Sequence, residues 1–330
     1  MAGFSPPAPA PAALVDWPAD FGTRFTIFVD TEEEFDWRAG FARDAHGTTS
    51  VAAIPAAHAR FAERGVPLVY LVDYPIATDP RAIDILRGVI ADGRSAIGTQ
   101  LHPWVNPPFD EALGAANSYV GNLGETIEAA KLDALTDAIT QAFGTAPIVY
   151  RAGRYGIGPN SWRLLAERGY RIDSSIRARY DYRADGGPDF AGVGNDAFRC
   201  GPDGALIELP LTTVFTGAMR GGGEPLYRAL GRLPRARGVA ARAGMLARVS
   251  LTPEGMPLAD ALEAVRVAVG EGTRLLNFAF HSPSLVPGHT PYVRDAADLA
   301  RFHAWWDGVL DLLDRLGVRP ATLADLLAAA

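Results

Sequence analysis

The sequence predicts an α/β protein, a single compact domain built on a parallel sheet that curls into an incomplete or distorted βα barrel. A doubly wound open sheet would give a similar pattern. Three observations carry this expectation. Short β-branched or aromatic runs alternate with helical patterns along the chain. No repeat of fixed period and no low-complexity linker divides the 330 residues. Titratable residues fall at the end of nearly every predicted strand, where parallel βα folds keep their active sites.

The elements follow in order. RFTIFVD (24–30) is the first strand, a helical stretch over about 50–64 stops at Gly65, and PLVYLVD (67–73) is the second strand. Asp79 and Pro80 start a helix that runs to about Ala91, and SAIGTQL (95–101) is the third strand, followed by a loop rich in Pro and Asn. Helical periodicity over 125–143 ends at Gly144, before strand APIVYRA (146–152) and a helix over 159–168. YRIDSSI (170–176) is the fifth strand. ALIELPL (205–211), after an irregular stretch with Gly186, Gly187 and Pro188, is the sixth, and RLLNFAF (274–280) the seventh. A helix over about 296–316 and a short final one at ATLADLLAAA close the chain.

A composition of 48% hydrophobic and 21% charged residues excludes disorder, collagen and coiled coil. The net charge of −7 offers no attraction to a phosphate backbone, so nucleic acid is not an expected partner. With one cysteine, Cys200, there is neither an internal disulfide nor a thiolate zinc cluster, and any metal must sit on Asp, Glu, His or Asn. The proline-rich residues 1–22 lack the pattern of a signal peptide and read as a loose N-terminal arm before a barrel over 23–330, which makes a cytoplasmic location the expectation. No apolar run approaches the roughly 18–20 residues that cross a bilayer.

The strand ends supply the candidates. Strand one ends in Asp30, strand two in Asp73, strand three leads to His102, strand four ends in Arg151, strand five carries Asp173, and strand seven ends in His281. Such a ring costs desolvation and like-charge repulsion unless a cation or a reaction uses it. In DTEEEFD (30–36), Asp30 and Glu32 point the same way on an extended chain, whereas Glu33, Glu34 and Asp36 read as a solvated acidic loop. His102 and Asn106, spaced i, i+4, could reach one ion, or Asn106 could be a turn residue before two prolines. His281 stands where an acid or base would meet a substrate.

The ordered set FVDTEEEFDW, IGTQLHPWVNPPF, YRAGRYG, GYRIDSSI and FAFHSPSLVPGHTPYVRD resembles the polysaccharide deacetylase superfamily of the carbohydrate esterase family 4 type, in particular variants with an Asp-x-Glu first motif. The resemblance runs from about Phe25 to the C-terminus. It implies a distorted (β/α)7 barrel that removes the acyl group of an N-acetylated sugar by metal-assisted hydrolysis. It further implies Asp30 as general base, Glu32, His102 and Asn106 as ligands of a divalent metal (zinc, or cobalt or manganese), and Arg151 as the group orienting the base. Asp173 would partner the catalytic histidine, and His281 would be the general acid. The sequence departs from the family in carrying Asn106 for the second histidine of His-x-x-x-His. An alternative register sets Gln100 where many relatives have the first histidine. Asp73, Trp104 and Tyr155 are candidate substrate contacts, and Trp37, Trp104 and Tyr155 could stack on a sugar face or serve the core.

An insertion over about 218–256 carries, from Arg220 to Arg248, seven arginines, Arg220, Arg228, Arg232, Arg235, Arg237, Arg242 and Arg248, against one acid, Glu224. It reads as a solvated helical insertion, or as a surface for an anionic membrane or a lipid-linked sugar. The leading reading is a metal-dependent deacetylase of a carbohydrate or glycolipid. The others are a barrel that binds a glycan without hydrolysis and a hydrolase of non-sugar amides.

Overall fold

Period-two alternation along the apolar runs sets the frame. The computed structural model describes residues 3–36, 39–44 and 46–330. The strands are β1 (Arg24–Thr31), β2 (Val69–Val72), β3 (Ala96–Leu101), β4 (Val149–Ala152), β5 (Ile172–Asp173), β6 (Phe198–Cys200), β7 (Leu206–Glu208), β8 (Thr213–Thr216), β9 (Ala247–Ser250), β10 (Leu275–His281) and β11 (Arg319–Pro320). The α-helices are α1 (Ile54–Ala62), α2 (Tyr74–Thr78), α3 (Pro80–Ile90), α4 (Glu125–Phe143), α5 (Ser161–Glu167), α6 (Gly223–Leu230), α7 (Ala236–Arg242), α8 (Leu258–Gly270), α9 (Ala296–Arg315) and α10 (Leu323–Ala329).

Seven strands run parallel in the order β10-β1-β2-β3-β4-β5-β7, with β6 antiparallel on the far edge and β11 beside the start of β1. This is the expected distorted (β/α)7 barrel. Between β7 and β10 no regular ladder forms. The gap is bridged by Thr212 N donating to Asn277 O (3.1 Å), Asn277 Nδ2 donating to Leu209 O (2.7 Å) and Ala279 N donating to Leu251 O (3.2 Å). Asn277, the one polar residue in LLNFAF, therefore serves barrel closure.

The two faces of each strand separate cleanly. Phe28, Val69, Leu71, Val149, Ile172, Ile207, Leu209 and Leu275 form one cluster inside the barrel. Phe25, Ile27, Val29, Tyr70, Tyr150, Phe278 and Phe280 join the larger cluster beneath the helices. The interior floor is sealed by Trp17, Phe21, Leu323 and Leu326. Residues 1–22 are expected to be a loose arm, but the described part is tied to the barrel: Val15 N donates to Ala197 O, and buried Trp17 and Phe21 stack at 4.3 Å under the strands. The physical reason is that an open barrel bottom would leave apolar residues wet.

The insertion is a hairpin with helices at its tip. β8 and β9 pair antiparallel from Thr213↔Ser250 to Thr216↔Ala247, and α6 and α7 lie between them over a small core of Phe215, Ala240 and Leu246. The purely helical expectation is thus corrected by the β-branched runs TTVFT and ARVS, which pair with each other. No helix among the described residues is long and apolar enough to cross a membrane.

One buried carboxyl in the helical layer titrates with the fold. Glu128 on α4 accepts from Ser161 Oγ, and burial raises it from 4.5 to about 7. The folded chain then holds its proton where the unfolded chain does not, so this group's stabilising contribution is full below about 4.5 and is lost as pH rises through about 7. Glu128→Gln should remove that loss. In thermal unfolding, its Tm relative to wild type should climb between about pH 5 and about pH 8; a constant difference across that range would refute the assignment.

Candidate active site

Strand parity builds the mouth of the barrel. Residues in phase with the interior cluster are Asp30 after Phe28, Gln100 after Gly98, Arg151 after Val149 and His281 after Asn277 and Ala279. Asp30 and His281 are partners across β1 and β10, and Gln100 and Arg151 are partners across β3 and β4. A pocket of about 500 Å³ opens on them, lined also by Glu32, His102, Trp104 and Tyr155.

Two charge pairs meet in this pocket. Arg151 Nη1 donates to Asp30 Oδ1 at 2.6 Å, with the two side chains 1% and 2% exposed. Its Nε and Nη2 donate to Ser174 O (2.9 Å) and Ser174 Oγ (3.0 Å), so the guanidinium is fixed in the plane that meets the carboxylate. His281 Nδ1 is bonded to Glu254 Oε2 at 2.5 Å, and its Nε2 stands 3.5 Å from Asp30 Oδ2. Glu254 is held in turn by His281 N (3.1 Å) and Ser284 Oγ (2.5 Å). Burial disfavours the imidazolium, but Glu254, Glu32 and Asp30 outweigh it and raise His281 to about 10. The site thus holds a carboxylate fixed by a cation beside an imidazolium fixed by a carboxylate.

A second group lies beside them. Gln100 Nε2 donates to Glu32 Oε2 (3.1 Å), which stands 3.5 Å from His102 Nε2. His102 Nδ1 is bonded to Glu33 Oε2 (2.8 Å), and Trp104 Nε1 donates to Glu33 Oε1 (2.7 Å). Burial raises Glu32 to about 7, whereas His102 and hydrogen bonds from His102, Asp73 and Trp104 overcome burial and carry Glu33 down to about 2. Glu33, Asp73 and His102 each offer a ligand atom within 4.8 Å of the others. Most of those atoms are already engaged, since Glu33 serves His102 and Trp104 while Asp73 accepts from Glu33 N (2.7 Å) and Ile76 N (2.9 Å). The pocket side is better suited to a cation. There Glu32 carries an oxygen, His102 is oriented from behind by a carboxylate, and Gln100 Oε1 is buried without a hydrogen-bond partner.

Several sequence expectations are redrawn. Asn106 does not reach the pocket: its amide donates to Pro107 O and Lys131 O, stitching the loop to α4, and Gln100 stands beside His102 instead, as in the alternative register. Asp173 does not meet His281. It is one residue out of phase with inward Ile172, accepts from Ser175 and from Trp162 Nε1 (2.8 Å), and is pushed up by burial next to Glu208. Asp73, expected against substrate, is wholly buried as the N-cap of α2. Trp104 and Tyr155 line the pocket, with Trp104 stacked on His102 at 4.4 Å. Trp37 lies outside the described residues. Glu33, expected in a solvated loop, is fully buried, and Glu254, the partner of His281, was not foreseen. The signal for Glu254 was the apolar VSLT before Pro253, a barrel-side segment hidden inside the arginine-rich insertion.

No family model matches the chain, and no curated protein matches it in sequence. Among solved structures it is similar to PuuE allantoinase, with 14% identity over 95% of this chain and 91% of that one and a TM-score of 0.51. It is also similar to a Mycobacterium smegmatis protein named as a polysaccharide deacetylase (20% identity, 95% and 98% covered, TM-score 0.48). A third is the chitin deacetylase of Colletotrichum lindemuthianum (12% identity, 100% and 94% covered, TM-score 0.44). At these identities the likeness is one of fold.

The His281–Glu254 pair makes a prediction for the metal-free protein. Glu254→Gln removes the carboxylate that favours the imidazolium, so an NMR titration should find the His281 pKa lowered by about 1–3 pH units. An unchanged value would mean that Glu254 does not set the charge of His281.

Proposed function

We propose that the chain is a metal-dependent hydrolase that removes an N-acetyl group from a carbohydrate or glycolipid. The observation that carries this reading is the meeting of Asp30, fixed by Arg151, with His281, fixed by Glu254, beside the Glu32, His102 and Gln100 donors. Amide hydrolysis needs one group to take a proton and another to give one, and these two environments suit opposite tasks. A divalent ion of the zinc, cobalt or manganese kind, held by Glu32, His102 and Gln100, would polarise the amide carbonyl and acidify a water. Asp30 accepts the proton of that water while Arg151 holds its carboxylate in place. His281 delivers the Nε2 proton to the leaving nitrogen, and Glu254 keeps Nδ1 and the ring orientation fixed. The aromatic lining of Trp104, Phe41, Tyr119 and Tyr155 supports a sugar ring as the bound body.

Metal titration of chelator-stripped protein comes first, followed by acetate release from N-acetylated sugars. Asp30→Asn should bind the ion as wild type does and lower kcat by about 10²–10⁴. His102→Ala should lose both binding and turnover. Turnover retained in either variant would sink the assignment, and saturable sugar binding without any acetate release would favour a glycan-binding barrel.

The insertion supports a further partner, an anionic membrane. Arg220, Arg232, Arg235 and Arg242 are exposed beside exposed Met219, Leu233, Val239 and Met245. Cations near an anionic lipid surface contribute on the order of 1 kcal/mol each. Binding to phosphatidylglycerol-containing vesicles should exceed binding to pure phosphatidylcholine vesicles and weaken with salt; equal binding to both would remove this partner.

A further inference from the structure

Two more guanidinium groups line the pocket besides Arg151. Arg154 Nη1 donates to Ala115 O (3.4 Å) and Ser118 Oγ (2.5 Å), and its guanidinium lies 4.1 Å from the centre of the Tyr119 ring. Arg177 Nε donates to Ser250 Oγ (2.9 Å), and its guanidinium lies 3.9 Å from the centre of the Tyr180 ring. Neither makes an ion pair with a carboxylate among the described residues. By contrast, Arg60, Arg168 and Arg183 pair with Asp307, Asp133 and Asp181. Asp185 lines the same pocket from its exposed rim and pairs with neither arginine.

Both arginines are partly buried, and partial withdrawal of a guanidinium from water without a counter-ion is unfavourable. The backbone adds to that cost. Arg154 and Tyr155 both adopt left-handed conformations, with φ of 56° and 57°, in a region that is unfavourable for non-glycine residues. The stacked pair Tyr155 and Tyr182, 6.2 Å apart, also lines the pocket, with Tyr155 following Arg154 in the chain. Flat rings beside two cations would hold a sugar face and a charged substituent together.

We infer that Arg154 and Arg177 form a subsite for an anionic substituent of the substrate, a phosphate or a carboxylate, so that the pocket selects acidic N-acetylated sugars over neutral ones. The inference deepens the hydrolase reading by naming a substrate class and rests on it for the pocket's use. Its test reads binding, so it does not depend on turnover.

Calorimetric titration of the full-length protein with N-acetylglucosamine, its phosphate ester and an N-acetylated uronic acid, at one fixed ionic strength, decides it. At least one acidic sugar should bind roughly tenfold or more tightly than the neutral one. Whichever acidic sugar binds tighter identifies the substituent, and either result supports the subsite. Arg154→Gln and Arg177→Gln should each erase most of the preference, read as the ratio of acidic-sugar to neutral-sugar affinity in the same variant. Arg154 is half-exposed and bonded to neutral acceptors, so its variant stays informative if Arg177→Gln does not fold. Equal affinity for neutral and acidic sugars in wild type, or a preference that survives in Arg154→Gln, would overturn the subsite. Charge-selective binding without acetate release would leave the subsite standing and defeat the hydrolase reading.

Discussion

The ion pair of Asp30 and Arg151, almost fully withdrawn from water, is the constraint on which the rest of the site depends. Two charges in that position cost several kcal/mol of desolvation each unless geometry and further hydrogen bonds offset it. Here they do. Ser174 satisfies two more guanidinium nitrogens, and Ser174 Oγ also accepts from Asn277 Nδ2 (3.0 Å), the side chain that bridges β10 to the segment after β7. The carboxylate is therefore fixed by the same network that closes the barrel. Loss of Arg151 would leave a buried charge unpaired and loosen the closure at once.

Around that fixed point the fold separates like groups by environment. Glu32 and Glu33 are adjacent in sequence, yet burial raises the first to about 7 while His102 and three hydrogen-bonding neighbours carry the second to about 2. Glu33 is thereby a permanent anion that orients His102, and Glu32 is left as the carboxylate whose charge an arriving cation would stabilise. The histidines are split by position in a similar way. His102 is bonded through Nδ1 to Glu33, and His281 through Nδ1 to Glu254, so each presents Nε2 toward a pocket-lining carboxylate. Chain direction explains the arrangement. Asp30 and His281 share a register on neighbouring parallel strands and so cannot help but meet.

Much of this was legible in the sequence because period-two alternation is a local signal. Phe28, Asp30, Val149, Arg151 and His281 could be read inward from apolar neighbours alone, and the strands that carry them were read in the right order. What failed was non-local. Asn106 looked like a ligand by spacing, but its amide is used by carbonyls at Pro107 and Lys131, a contact set by how α4 packs on the loop. Asp173 is placed at the site by the resemblance, but its side chain is out of phase with inward Ile172. Glu254 lies in a segment whose arginines mask a short extended run, and that run is brought to β10 by the Ala279 N to Leu251 O hydrogen bond. The prolines of the N-terminus suggested a free arm, because nothing local says that Trp17 and Phe21 have a barrel floor to fill.

The chain's net charge of −7 does not describe its pocket, where three arginines stand with three carboxylates. Net charge is a statement about solubility and long-range association, whereas a pocket answers to the groups within a few ångströms, where solvent and salt screen least. In this pocket Arg151 is spent on Asp30, while Arg154 and Arg177 face neutral oxygens and aromatic faces. An acidic protein can thus keep two arginines free of carboxylate partners, and it does so in the pocket where Asp30 and His281 stand.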